Sequence, residues 1–381
     1  MLCDDALLEI FDFYVIDWQI KGVEEWFTLA HVCQRWRRLV FSSPRRLDLH
    51  LLCTNRRPVR AMLNSFPPSH IIISGFGTSD LESEPPMEGT DNIVAALEHR
   101  DRICKITLNN PPRSLLNMFT ELMQESLPAL AELELELDDQ STILPLDSFS
   151  CAPRLQSIRF YDIQFPALSN VLLSSHNLVV LHLLMIPDTG FISPGEMASC
   201  LSSLNRLEVL SMGFQPSVSF FAHDETRPPL LARVDLPCLI RLWFRGHGDY
   251  LEDFVTRINT PLLCVFEMRL DKIYLDYSTY FIDRVENFEV FDQAKMIFHA
   301  RSVSVTLSQQ RGGVEDTILK LEIEVEEPED RFWYLDQALG SNPLPFSTPE
   351  RLEVSVDPDF PLVDQHDYQT THWLDLSRLP P

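Results

Sequence analysis

Glycine is scarce in this chain, 12 residues in 381. Few positions therefore let a phosphate approach bare backbone, and the sequence carries no glycine-rich phosphate-binding loop. Basic residues are outnumbered as well, 31 Lys and Arg against 56 Asp and Glu, for a net charge of −25 and a pI near 4.7. Such acidity repels phosphate backbones and anionic bilayers, so neither nucleic acid nor a membrane is expected as a main partner. The imbalance is local: residues 1–60 hold 9 Lys/Arg against 8 Asp/Glu, leaving 22 against 48 over residues 61–381.

Long apolar runs are missing too. The uncharged stretch Leu168 to Pro187 is interrupted by Ser174-Ser175-His176-Asn177, which reads as a helix end, a turn and a strand rather than a membrane span. The eight cysteines, at 3, 33, 53, 104, 151, 200, 238 and 264, form no Cys-x-x-Cys pair. Scattered through apolar segments, they read as reduced small hydrophobes, not as a disulfide frame or zinc site. No Asn-x-Ser/Thr sequon occurs and no signal peptide opens the chain, so the expected compartment is cytosol or nucleus.

Catalytic signatures are equally thin. There is no Gly-x-Ser-x-Gly elbow and no His-Glu-x-x-His, and the eleven histidines show no metal-ligand spacing. Gly75-Phe76-Gly77 and Gly246-His247-Gly248-Asp249 mark turns. The expectation is a chain with no enzymatic step, no metal and no cofactor. An enzyme with an unrecognised site would need a compact pocket holding perturbed titratable groups.

What is present begins at the N-terminus. Asp4-Asp5 precedes apolar residues at 7, 8, 11 and 14/15, the spacing of one helical face behind a residue able to cap it. A second series, Leu29, Val32, Cys33, Trp36, Leu39 and Val40, steps by threes and fours. Arg35, Arg37 and Arg38 are placed near its end, where a helix C-terminus favours cations, and Ser42-Ser43-Pro44 stops it. A few short helices cannot bury a full core alone, so a partner is the natural completion.

The run Leu2-Cys3-Asp4-Asp5-Ala6-Leu7-Leu8-Glu9-Ile10-Phe11, followed by Val32-Cys33-Gln34-Arg35-Trp36-Arg37-Arg38, resembles an F-box over about Leu2 to Val40. Cys3 departs from the family, which has Pro directly after its first Leu. The resemblance implies helices that dock on a Skp-type adaptor of a cullin-RING ubiquitin ligase, while the rest of the chain captures a protein substrate. The residues matching the docking positions are Leu2, Leu7, Leu8, Ile10, Phe11, Leu29, Val32, Cys33 and Trp36. Otherwise the stretch is a helical pair packed on its own chain, with Trp36 as a core anchor.

Beyond it, Arg46 to Leu51 alternates as a first strand, Pro58 to Phe66 reads as a helix and Ile71-Ile72-Ile73 as a short strand. Thr78 to Asp91, acidic and proline-bearing, reads as a flexible loop. An apolar-x-x-apolar-x-apolar pattern then recurs at Ile103/Ile106/Leu108, Leu130/Leu133/Leu135, Leu155/Ile158/Phe160, Leu178/Leu181/Leu183, Leu207/Leu210/Met212, Leu239/Leu242/Phe244 and Leu263/Phe266/Met268. Its spacing resembles that of leucine-rich repeats, one strand per unit. The stretches between, such as Leu115 to Ser126 and Leu168 to Ser175, have the length of short helices, which implies parallel strands. That family places Asn or Cys three positions after the last apolar strand residue. Here those positions are Pro111, Asp138, Ile163, Ile186, Gln215, His247 and Asp271, so the resemblance is to an irregular solenoid of the kind common in fungal F-box proteins.

The expected fold is therefore α/β: a helical F-box module (1–44), linker and first strand/helix units with acidic loop 78–91 (45–100), a leucine-rich-repeat-like solenoid with parallel strands (101–342) and a cap or tail (343–381). Past Asp271 the strand signal continues at Val285/Phe288/Val290, Ile318/Leu321/Ile323 and Arg351 to Val354, with Glu322, Glu324, Glu326 and Glu327 on the acidic outer face of a half-buried strand. Alternation along the strands turns Lys105/Thr107/Asn109, Glu132/Glu134/Glu136, Ser157/Arg159/Tyr161, Val180/His182/Leu184, Val209/Ser211/Gly213, Arg241/Trp243/Arg245 and Val265/Glu267/Arg269 to the other face. Of these, Arg241, Trp243, Arg245, Arg159, Tyr161 and His182 are the candidates for binding a target, since Arg, Trp and Tyr dominate binding hot spots.

Overall fold

The computed structural model describes residues 2–16, 26–44, 46–56, 58–66, 68–76, 87–137, 152–163, 168–215, 233–270, 291, 293–299, 301–311, 314–324 and 351–356, and among these three helices open the chain. They are α1 (Asp4–Ile16), α2 (Trp26–Val32) and α3 (Gln34–Ser42). The apolar series Leu29 to Val40 is thus broken, because Cys33 takes an extended backbone and its sulfur accepts from the Trp36 N–H as a helix cap. The break moves the arginines into the first half of α3 instead of a helix end. Arg37 nevertheless finds helix carbonyls, donating to Ala30 O of α2 at 2.9 Å. Asp4 lies inside α1 and accepts from Arg35 at 2.6 Å, a carboxylate placed where the helix dipole favours it.

The chain divides into two compact units, Met1–Val180 and Leu181–Pro381, each mixed α/β with a mostly parallel sheet. In the first, β1 (His50–Cys53), β2 (His70–Gly75), β3 (Ile103–Asn109), β4 (Glu132–Glu136) and β5 (Ser157–Tyr161) lie side by side in chain order, all parallel. β1 starts at His50 rather than Arg46, since Asp48 adopts φ 45 and turns the chain just before it. Between the strands run α4 (Val59–Ser65), α5 (Met87–Leu97), α6 (Arg113–Met123) and α7 (Leu168–Leu173).

Part of the expected loop 78–91 is helix, because α5 starts at Met87. Gly89 serves close approach there: a Cβ would meet Asn55 Cβ at 3.1 Å and its carbonyl oxygen at 3.2 Å. Residues 77–86 lie outside the described residues. α6 presents Leu115, Leu116, Phe119, Leu122 and Met123 to the core at the three-and-four spacing that one helical face requires.

The second unit orders its strands β6 (Val180–Ile186), β7 (Val209–Phe214), β9 (Arg241–Gly246), β11 (Val265–Leu270), β14 (Val314–Glu324), β13 (Ser302–Arg311), β12 (Gln293–Phe298) and β15 (Arg351–Val356), with β8 (Val234–Asp235) and β10 (Ile258–Asn259) paired apart. Among its described residues the α-helices are α8 (Pro194–Leu201), started by a Ser193/Glu196 capping box, and α9 (Gly248–Thr256). Tyr250 of α9 packs among Phe191, Phe214, Phe244 and Phe254. Parallel pairing holds from β7 through β9 and β11 to β14. It then fails: β13 is antiparallel to both β14 and β12. A short connection joins β13 directly to β14, and such a connection can only return the chain antiparallel. Val285, Phe288 and Val290 lie outside the described residues, as does the tail except for β15, which is a strand beside β12.

All twenty-one apolar positions of the seven repeats are buried, and those on the strands from β3 to β5 and from β7 through β9 to β11 stack in register. Ile106 faces Leu133, which faces Ile158; Leu210 faces Leu242, which faces Phe266. The first position of each repeat after the opening one closes the same turn, its N–H donating to the carbonyl three residues earlier, as in Leu130 to Leu127 and Leu263 to Thr260. Several strands end alike, in a positive-φ residue two positions past the last apolar one: Asn110, Asp162, Met185 and Gly246. At Gly246, with φ 148, a Cβ would also meet Phe214 at 3.1 Å.

Candidate protein-interaction surfaces

The helical module splits its apolar residues between two faces. Leu7, Leu8, Phe11 and Leu29 turn inward to one core with Trp26, Leu39, Val40, Leu47 and Leu49. Trp36 is half-buried, its ring edge-on to Phe11 at 4.7 Å. Trp26, which the sequence pattern does not single out, anchors this core, packing against Phe27, Phe41 and Phe66 and donating from its indole to His50 O at 2.9 Å. Its signal was aromatic composition alone, in a stretch without apolar periodicity.

Leu2, Ile10, Val32 and Cys33 lie on the surface. Beside them in α1 are two exposed aromatics: Phe13, 77% exposed, which the sequence pattern does not single out, and Tyr14, which the pattern counts on the apolar face but which lies on the surface. Of the nine residues matching the docking positions, four are therefore interior, four are open and Trp36 stands between. Half of the large exposed hydrophobics among the described residues belong to α1, α2 and the residues leading into them. Charged side chains brace the module from outside: Arg35 pairs with Asp4 and donates to the Leu2 carbonyl at 2.7 Å, and Arg46 pairs with Glu9.

The outward row of strand side chains is half-buried for most of its length and laced by cross-strand charges. In the first unit Lys105 meets Glu132 at 2.7 Å and Arg159 meets Glu134 at 3.7 Å. Glu132 and Glu134 of that rung are thus each paired from a neighbouring strand. Arg159 and Tyr161 share β5, and burial, then Glu134, raises the Tyr161 phenol above its ordinary pKa.

In the second unit His182 is half-buried on β6. Arg241 is exposed, while Trp243 lies close enough to Gly213 that a Cβ there would meet the indole at 3.0 Å. Arg245 is not a free charge: it reaches Glu324 at 3.3 Å, and Arg269 donates to the same oxygen at 2.6 Å. The acidic face of β14 therefore carries ion pairs to arginines. Arg241 with Trp243 remains the part of that rung open to a partner.

Two cavities, of about 580 Å³ and about 470 Å³, lie in the first unit, and His70 and Asp101 line both. Among the described residues no helix is long and apolar enough to cross a membrane. Compared with models of protein families, with curated proteins and with solved structures, the chain matches none.

Proposed function

We propose that this chain is a substrate-recruiting F-box subunit of a cullin-RING ubiquitin ligase, acting in the cytosol or nucleus. Its N-terminal helices bind a Skp-type adaptor and its repeats hold a protein target. The observation that carries the reading is the open apolar set Leu2, Ile10, Phe13, Tyr14 and Val32 on helices whose opposite face is already fixed in the chain's own core. Exposed apolar residues gathered on one small module mark a protein interaction site. The module's sequence pattern supports the choice of partner.

The repeating turn bond, the in-register stacking and the left-handed strand ends support an irregular leucine-rich-repeat-like solenoid. The chain performs no covalent step in this reading. It raises the effective concentration of target beside the transferring enzyme, with Arg241, Trp243, Arg159, Tyr161 and His182 offered to that target.

The test is reconstitution of the purified chain with a Skp-type adaptor, followed by size-exclusion chromatography. The native chain is expected to co-elute, and an Ile10→Asp, Val32→Asp variant to elute alone with an unchanged circular dichroism spectrum. Both positions are exposed, so the loss reports docking rather than unfolding. One placement favours a second reading, a scaffold with no ligase role: Leu7, Leu8, Phe11 and Leu29 share their core with Leu47 and Leu49, as a packed cap would. Absence of any complex with the native chain would select it.

A further inference from the structure

Asp48, His50 and His70 are brought together by topology. β1 and β2 pair in parallel with His50 directly opposite His70, and the two rings lie 5.8 Å apart on one face. Asp48 reaches the same place through its left-handed backbone, φ 45, a conformation that Asp and Asn adopt more readily than other residues. Its carboxylate lies 3.9 Å from His50 Nε2 and 3.6 Å from His70 Nδ1. One nitrogen from each ring and one carboxylate oxygen all fall within 4.8 Å of one another.

We infer that Asp48, His50 and His70 form a binding site for a divalent cation of the zinc type. Two imidazoles and a carboxylate are the ligand set this borderline-soft ion takes, with bonds of about 2.0–2.2 Å and tetrahedral geometry. Tetrahedral bonds of that length hold ligand atoms about 3.3 Å apart. The separations seen here exceed that by amounts that small side-chain rotations close.

The backbone of His50 is pinned, since its carbonyl oxygen accepts from Trp26 Nε1 at 2.9 Å, which limits the cost of ordering it on binding. Cys104, close by on β3, does not complete the set: its thiol donates to Ile71 O at 3.4 Å and burial pushes its pKa up to about 12. His70 and Asp48 are the open members, with side chains 42% and 67% exposed, so water or an incoming group takes the remaining position. The site clamps the turn between α3 and β1 to strand β2, in the part of the chain where Leu47 and Leu49 enter the helical core. It stands independently of the ligase reading.

The experiment uses the purified full chain, stripped by chelator, then titrated with Zn²⁺ against a chromogenic chelator and with Co²⁺ read by its visible d–d absorption. The native chain is expected to take up one equivalent with a tetrahedral Co²⁺ spectrum. His70→Ala and Asp48→Asn should each weaken uptake by about tenfold or more. His99→Ala should bind as the native chain does. Asn tolerates the left-handed backbone at 48 and the residue 70 side chain is half open, so both variants are expected to fold, checked by circular dichroism. No uptake by the native chain, native-like uptake by either ligand variant, or loss in His99→Ala would each overturn the assignment.

Discussion

Single residues carry more of this structure's logic than composition suggests, and the thiols illustrate it. Cys3, Cys33 and Cys264 are exposed, Cys53 and Cys200 are buried, and Cys104 is held protonated by burial, with its pKa moved from 9.0 to about 12. Tyr250, wholly buried, is also pushed up, again by burial first. Both groups have a folded pKa above the unfolded one. Below about pH 9 neither state is ionised and nothing is lost; above it the unfolded chain sheds protons that the fold retains, so stability falls as pH rises toward 12. Urea unfolding at about pH 8 and about pH 10.5 should show this loss, and Cys104→Ser should shrink it. An identical slope in the variant would mean the thiol does not titrate as its burial requires. Alkylation of the folded chain should mark positions 3, 33 and 264 and spare 104.

Elements were recognised through periodicity, which was sound wherever one face is buried. The repeat strands and α6 follow their patterns, because an apolar residue out of register would face water. Periodicity does not say where a helix breaks, and the cap formed by Cys33 is a local bond that no apolar spacing encodes. Nor does it tell a charged face from a paired one. On β14, Glu324 holds Arg245 of β9 and Arg269 of β11, so Glu324→Gln is expected to lower stability by about 1–3 kcal/mol in urea titration, whereas Glu353→Gln, whose exposed carboxylate meets Lys295 at 3.3 Å, should cost less than about 1 kcal/mol. Equal effects would make the β14 pairs mere surface ornaments.

At the scale of the molecule, the −26 carried by residues 61–381 and the near-neutral first 60 were visible at once, and they set what the chain avoids. A mobility-shift assay with duplex DNA at about 0.15 M salt should show no complex, since screening over about 8 Å leaves the acidic surface repulsive at contact range. A retarded band would place a basic site that the charge count conceals. The division into units at Val180/Leu181 has no such marker. It falls within the repeats, where composition is uniform.

The sequence by itself determined the helical N-terminal module, the strand of every repeat and its buried face, and the overall sign of charge, because these depend on neighbours three, four or two residues apart. Only the tertiary structure decided which of the nine proposed docking residues face inward, that Arg245 is paired, that β13 runs against its neighbours, and that Asp48, His50 and His70 meet. Those outcomes depend on strand pairing and on which helix face the core takes first. Both bring together residues distant along the chain, and no local pattern reports them.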